Sequence, residues 1–61
     1  NPSEAIKLYK QSLKLKNDSS VRARMADVMM VVGLHCDAAK EFDKVGNAGK
    51  AQQARAKGGC D

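Results

Sequence analysis

Apolar side chains recur at helical spacing in four segments of the chain, and short polar or glycine-containing breaks separate the segments. In the first segment, residues 1–15, apolar and small residues span roughly half the circumference of a helix, with lysines opposite. Asn1 suits the N-cap, Pro2 suits the first helical position, and Glu4 follows the cap by three residues. An apolar arc this wide predicts a helix that contacts two neighbouring elements.

The second segment predicts a helix over about residues 21–32. Residues 17–20 have the composition of a turn, and Ser19 or Ser20 can cap the helix that follows. Gly33 ends the helix, because glycine adopts the left-handed conformation without steric cost. Few charges interrupt the segment, so we expect it to be the most buried of the four. Its apolar stripe consists of Val21, Met25, Val28, Met29 and Val32.

Two further helices are predicted, over about residues 36–45 and 48–57, with Gly46 and Asn47 between them. The last four residues, 58–61, begin with two glycines and are expected to form a flexible tail. In the third helix the apolar face holds Ala38, Ala39, Phe42 and Val45. The opposite face holds Lys40, Glu41, Asp43 and Lys44, and Glu41 can pair with Lys44 along it.

A weak internal repeat links the first and third helices. Residues 3–13 align with residues 36–46 at an offset of 33, so that an acid, an alanine, a small or apolar residue, a lysine and an aromatic recur in register. A period close to 34 residues with helix–turn–helix punctuation is a signature of helical repeat proteins.

On these residues the chain resembles the tetratricopeptide repeat. The second helix of that family is similar to Glu4-Ala5-Ile6 with Tyr9 and Ser12, and to Asp37-Ala38-Ala39 with Phe42 and Val45. The family's first helix is similar to Met25-Ala26, Met29 and Gly33. The departures are Arg22 and Met29 at positions where the family has aromatics, Ala26 where it has glycine, and the absence of a proline after either second helix.

The resemblance implies an all-α fold: an antiparallel helix-turn-helix repeat fragment of three to four short helices over residues 1–57. Ala5 and Ala38 would let paired helices approach closely, while Tyr9 and Phe42 would fill the gap to the next helix. About three repeats are normally needed for a stable array, and this chain has fewer than two. Its end helices would therefore expose apolar surface that a partner can cover.

The chain is short, at 61 residues, and a chain of this size buries too little surface to be more than marginally stable alone. Cys36 lies beside an apolar run and Cys60 lies in the glycine-rich tail, so we expect both thiols to be free. A bridge between them is the disfavoured alternative, since their spacing fits no disulfide framework. The missing stability is then expected to come from a partner.

The formal net charge is +4, and the basic excess lies towards the two ends of the chain. Such a charge favours acidic partners or anionic surfaces without specifying one. The longest apolar run, residues 28–34, is far short of the ~20 residues that span a bilayer. The sequence has no pattern of a signal peptide and does not begin with Met. We therefore expect a soluble or peripheral protein that was processed or is part of a longer one.

Catalytic, cofactor and metal sites are not predicted. His35 and Cys36 are adjacent, but only Cys60 could join them as a ligand, whereas structural zinc requires four. Residues 46–50 do not have the spacing of a phosphate-binding loop, and no Ser or Thr follows Lys50. The single histidine adjoins Cys36 in sequence without being placed to activate it. We expect neither an enzyme nor a small-molecule substrate.

The favoured hypothesis is a non-catalytic protein-interaction module, a small scaffold or assembly subunit within a larger complex. By the resemblance, its partner would contact Arg22, Met25 and Met29, with Lys7 or Lys10 nearby. We expect the methionines to pack mainly in the core, and we expect an adaptable binding surface as their second use. The alternative is a basic peripheral protein on an anionic membrane or a nucleic acid. The face that holds Lys7, Lys10 and Lys14 lacks the interleaved aromatics or several arginines that are typical of nucleic-acid binding.

Overall fold

Four helices make up residues 1–60, the part of the chain that the computed structural model describes. They are α1 (Pro2–Leu15), α2 (Ser19–Val31), α3 (His35–Lys44) and α4 (Ala48–Gly58). Within this part the chain forms no strand. The prediction of an all-α fold of three to four short helices is confirmed.

Side-chain caps set the beginnings of three helices. The Asn1 side chain accepts a hydrogen bond from the backbone N–H of Ser3 at 3.0 Å, as predicted. The predicted serine cap of α2 is wrong, because the carboxylate of Asp18 caps it by accepting from the N–H of Ser20 at 2.8 Å. An aspartate there adds a negative charge at the positive end of the helix dipole. The helix therefore starts two residues earlier than predicted.

Glycines in the left-handed conformation reverse the chain after α2 and α3. Gly33 has a φ of 87° and Gly46 a φ of 79°. After Gly33, the N–H of Leu34 reaches back to the carbonyl of Met29 at 2.8 Å, and Asn47 bonds Phe42 in the same way at 2.9 Å. These bonds satisfy the carbonyls that a helix end leaves unpaired. Short connections of this kind place successive helices in antiparallel pairs.

The main contacts join consecutive helices, α1 with α2, α2 with α3, and α3 with α4. The described chain measures 30 × 25 × 14 Å along its principal axes. Contacts of this kind are typical of helical repeat arrays, in which each element contacts only its neighbours.

The core depends on alanine. Ala38 is fully buried and Phe42 is nearly so, as their positions in the repeat predict. Their counterparts in α1, Ala5 and Tyr9, are only half-buried, because no helix covers the far side of α1. The prediction that α2 is the most buried segment is wrong, since α3 buries more of its residues. The core residues are Ile6, Met25, Ala26, Met29, Ala38, Ala39, Phe42, Ala51 and Ala54.

The spacing between helix starts matches the 33-residue offset for the first helix of each pair but not for the second. Helix α3 begins at His35, 33 residues after α1 begins at Pro2, in agreement with the offset found in the sequence. Helix α4 begins at Ala48, only 29 residues after the start of α2 at Ser19. The difference arises because α3 has 10 residues where α1 has 14. The second hairpin is thus about one helical turn shorter than the first.

A disulfide joins Cys36 to Cys60, which corrects the expectation of two free thiols. Because α3 and α4 run in opposite directions, the start of α3 and the residue after Gly59 lie side by side, with Cα atoms 5.8 Å apart. Sequence spacing gives no sign of this proximity. The predicted flexible tail is corrected as well, since Gly58 belongs to α4 and the disulfide anchors Cys60. Asp61 lies outside the described residues.

Gly58 is the position that lets the disulfide lie against the end of α4. A Cβ atom placed there would stand 2.7 Å from the Cβ of His35 and 2.8 Å from the Sγ of Cys60. Gly49, in the first turn of the same helix, has only the Asn47 side chain within 4 Å of the same position. One glycine of α4 is therefore required by packing and the other is not.

Reducing the disulfide should lower the free energy of unfolding by about 3 kcal/mol, because the bond closes a loop of 24 residues in the unfolded chain. Thermal unfolding followed by circular dichroism, with and without a phosphine reductant, measures the change. The C36S/C60S double variant is the control, and it should unfold at the same temperature with and without reductant. An unchanged midpoint for the native chain after reduction would contradict the bond's stabilising role.

The two glycines of α4 should respond to alanine in opposite directions. Gly49→Ala should stabilise the protein by about 0.5–1 kcal/mol, since alanine is the better helix former. Gly58→Ala should destabilise it by roughly 1–3 kcal/mol, the usual range for overpacking. Urea unfolding of both variants compares them within one helix. Equal effects of the two substitutions would rule out close packing at Gly58.

Candidate protein-docking groove

A groove lies between α1 and α3, with α2 at its base, and it encloses about 770 Å³. We call this surface the groove throughout. Its α1 wall consists of Lys10, Leu13 and Lys14, and its base consists of Arg22, Met25 and Met29. Leu34 lies at one end, and the α3 wall consists of Asp37, Lys40, Glu41 and Lys44.

Four of the five residues predicted to bind a partner line the groove together. Arg22, Met25 and Met29 come from α2, and Lys10 faces them from α1. Lys7 is exposed on α1 but is not among the lining residues. The sequence analysis placed the expected contacts on α2 with Lys7 or Lys10 nearby, but it did not indicate which lysines of α1 turn towards α2.

The methionines belong to the core first. Met25 is 2% exposed and Met29 is 4% exposed, so each presents only an edge to the groove. This agrees with the expectation that core packing is their first use. Leu13, which is half-buried, and Leu34, which is exposed, supply the apolar surface that a bound segment can reach.

A charged network crosses the base of the groove. Arg22 donates to Glu41 at 2.6 Å and to the side-chain oxygen of Asn17 at 2.9 Å. Lys44 pairs with the other oxygen of Glu41 at 3.3 Å, which confirms the predicted Glu41–Lys44 pair. Glu41 is buried against α2, although the sequence places it on the charged face of α3. Burial is tolerated because two cations hold its carboxylate.

The remaining lysines of the groove have no acidic partner. Among residues 1–60, Lys10, Lys14 and Lys40 make no ion pair within 4.0 Å. Lys10 and Lys14 are four residues apart on one wall, and Lys40 and Lys44 are four apart on the other. With Arg22, five cations face two acids, Asp37 and Glu41, so the groove holds most of the chain's net charge of +4.

Helix α4 explains why this charge collects in the groove. Its Lys50 pairs with Asp27 at 3.6 Å and lies 5.6 Å from the centre of the Phe42 ring. Its Arg55 pairs with Asp43 at 2.9 Å. Asp27 and Asp43, the acids of α2 and α3 that do not line the groove, are thus paired with cations of α4. Sequence analysis missed these pairs, because they depend on which helix lies across from which.

A second, smaller recess lies beside the disulfide and includes His35, Asp37 and Lys57. Within residues 1–60, no three His, Cys, Asp or Glu side chains form a group that could hold a metal ion. Of the helices described above, none has both the length and the apolar character needed to cross a membrane.

Comparison with known proteins gives no relative. No protein-family model, no curated protein and no solved structure matches the chain.

The Arg22–Glu41 pair should be more strongly coupled than the other interhelical pairs. A double-mutant cycle with Arg22→Gln and Glu41→Gln should give a coupling of about 1–2 kcal/mol, because both side chains are largely shielded from water. The matched cycle on Arg55 and Asp43, which are more exposed, should give less than about 1 kcal/mol. Urea unfolding supplies the free energies of the wild-type protein and the six variants. Equal coupling in the two cycles would show that burial does not strengthen the pair.

Proposed function

We propose that this chain is a non-catalytic protein-interaction module similar to a tetratricopeptide repeat, a small scaffold or assembly subunit that docks in a larger complex. The observation that carries the proposal is the groove. It combines a reachable apolar strip, Leu13 and Leu34, with lysines on both walls, on a base fixed by a charged network. Binding surfaces for peptides commonly combine apolar anchors with polar groups that fix orientation.

The exposed outer side of α1 supports a role within an assembly. On the outer side of α1, Leu8 is 63% exposed and Leu15 is 90% exposed. In a stacked array each helical pair covers the apolar face of the next. An uncovered apolar side on an end helix is what an array that continues into other helices would leave.

The alternative, a peripheral protein on an anionic membrane or nucleic acid, has less support. A flat membrane attracts cations on a protruding or continuous face, whereas Lys10, Lys14 and Lys40 lie along a groove. Protein grooves that bind single-stranded nucleic acid usually present aromatic side chains on which the bases stack. Here the groove holds no aromatic residue, and Phe42 is buried in the core.

Selection of binding peptides from a displayed random library tests the proposal, and the three methionines report where they bind. Methyl resonances of Met25 and Met29 should shift on titration with a selected peptide, because both line the groove. The resonance of Met30 should stay in place, since Met30 packs on the core outside the groove.

Matched glutamine variants provide the control. Leu34→Gln should weaken peptide binding about fivefold to tenfold, because it removes exposed apolar surface within the groove. Val31→Gln changes an exposed apolar residue on α2 outside the groove and should leave affinity unchanged. Failure to select any specific peptide, or shifts confined to Met30, would refute the proposal.

A further inference from the structure

We propose that the groove receives an acidic amphipathic peptide segment, in which carboxylates flank at least one large apolar side chain. This inference rests on the proposed function and adds the chemistry of the partner. It follows from the charge of the groove walls, the shape of the apolar strip between them and the one acid of the groove, Asp37, that makes no ion pair with another described residue.

The walls present matching cationic pairs. Residues four apart on a helix rise by about 6 Å, so each wall offers two ammonium groups at roughly that spacing. Lys10 and Lys14 form the pair on α1, and Lys40 with Lys44 forms the pair on α3. Only Lys44 is engaged, and it shares Glu41 with Arg22. Carboxylates on both sides of a bound segment would therefore find cations that the protein itself does not neutralise.

The apolar strip sets the remaining requirement. Leu13 and Leu34 are accessible between the walls, and the edges of Met25 and Met29 lie beneath them. Methionine has a flexible, unbranched side chain that repacks around different shapes. A leucine, a phenylalanine or a methionine of the partner would fit this strip, whereas a segment with acids alone would leave it exposed to water.

Asp37 gives the groove a direction. It has no ion-pair partner within residues 1–60 and lies one turn before Lys40 on the same wall. A carboxylate of the partner would be repelled there and attracted one turn further along α3. The segment should therefore place its acids towards Lys40 and Lys44, which restricts it to one register.

Fluorescence anisotropy with a synthetic peptide tests the inference. The probe has two pairs of glutamates on either side of a leucine and a phenylalanine, and the control peptide has glutamine in place of every glutamate. The acidic peptide should bind at least tenfold more tightly than the control peptide. Asp37→Asn should tighten binding of the acidic peptide about twofold to threefold.

Two charge-reversal variants of equal net charge distinguish binding in the groove from general electrostatic attraction of the peptide to the protein. Lys10→Glu with Lys40→Glu should weaken binding of the acidic peptide at least tenfold. Arg24→Glu with Lys57→Glu reverses two exposed cations outside the groove and should weaken it less than threefold. Circular dichroism checks that both variants remain helical. Should the groove variant unfold, Lys10→Gln with Lys40→Gln replaces it, with an expected loss of at least threefold.

Three results would overturn the inference. Equal loss of affinity in the two reversal variants would mean that the peptide responds only to net charge. Displacement of the peptide by anionic vesicles or a DNA duplex at equal concentration of negative charge would assign the groove to those ligands. Tight binding of the neutral peptide with shifts at Met25 and Met29 would reject an acidic partner and leave the proposed function intact.

Discussion

Close approach between helices is the constraint on which the structure depends. More than half of the core residues are alanines, and those at positions 26, 38, 51 and 54 have no exposed surface. Short side chains let the helix axes come near enough for the backbones and Phe42 to exclude water. With a single buried aromatic and three methionines, the chain has little volume with which to fill a wider gap.

The same packing determines which charged side chains pair with one another. Lys50 and Arg55 of α4 pair with Asp27 of α2 and Asp43 of α3, so these two acids do not pair with other cations among the described residues. Glu41 is drawn inward to Arg22, which leaves Lys10, Lys14 and Lys40 unopposed around a shallow apolar strip. The unpaired lysines thus give one face of the protein a local positive charge. The groove owes its character to pairs formed elsewhere in the fold.

The helices could be predicted from the sequence, since periodicity and the glycines at 33 and 46 mark their extents within a few residues. The burial of Ala38 and Phe42 followed from their register in the repeat. The burial of Glu41 and the Cys36–Cys60 bond could not be predicted, because each depends on a residue of another helix. Likewise, Lys10 and Lys7 look equivalent in sequence, and only the orientation of α1 on α2 separates them.

The disulfide has a mechanical consequence. Cys36 precedes nearly all of α3, and Cys60 follows α4, so the covalent bond spans the whole second hairpin. Tension applied between Asn1 and the residue after Cys60 would pass through the sulfur atoms and bypass α3 and α4. Under such tension α1 and α2 would unfold first. The hairpin of α3 and α4, which carries Lys40 and Lys44, would bear no force until the disulfide is reduced.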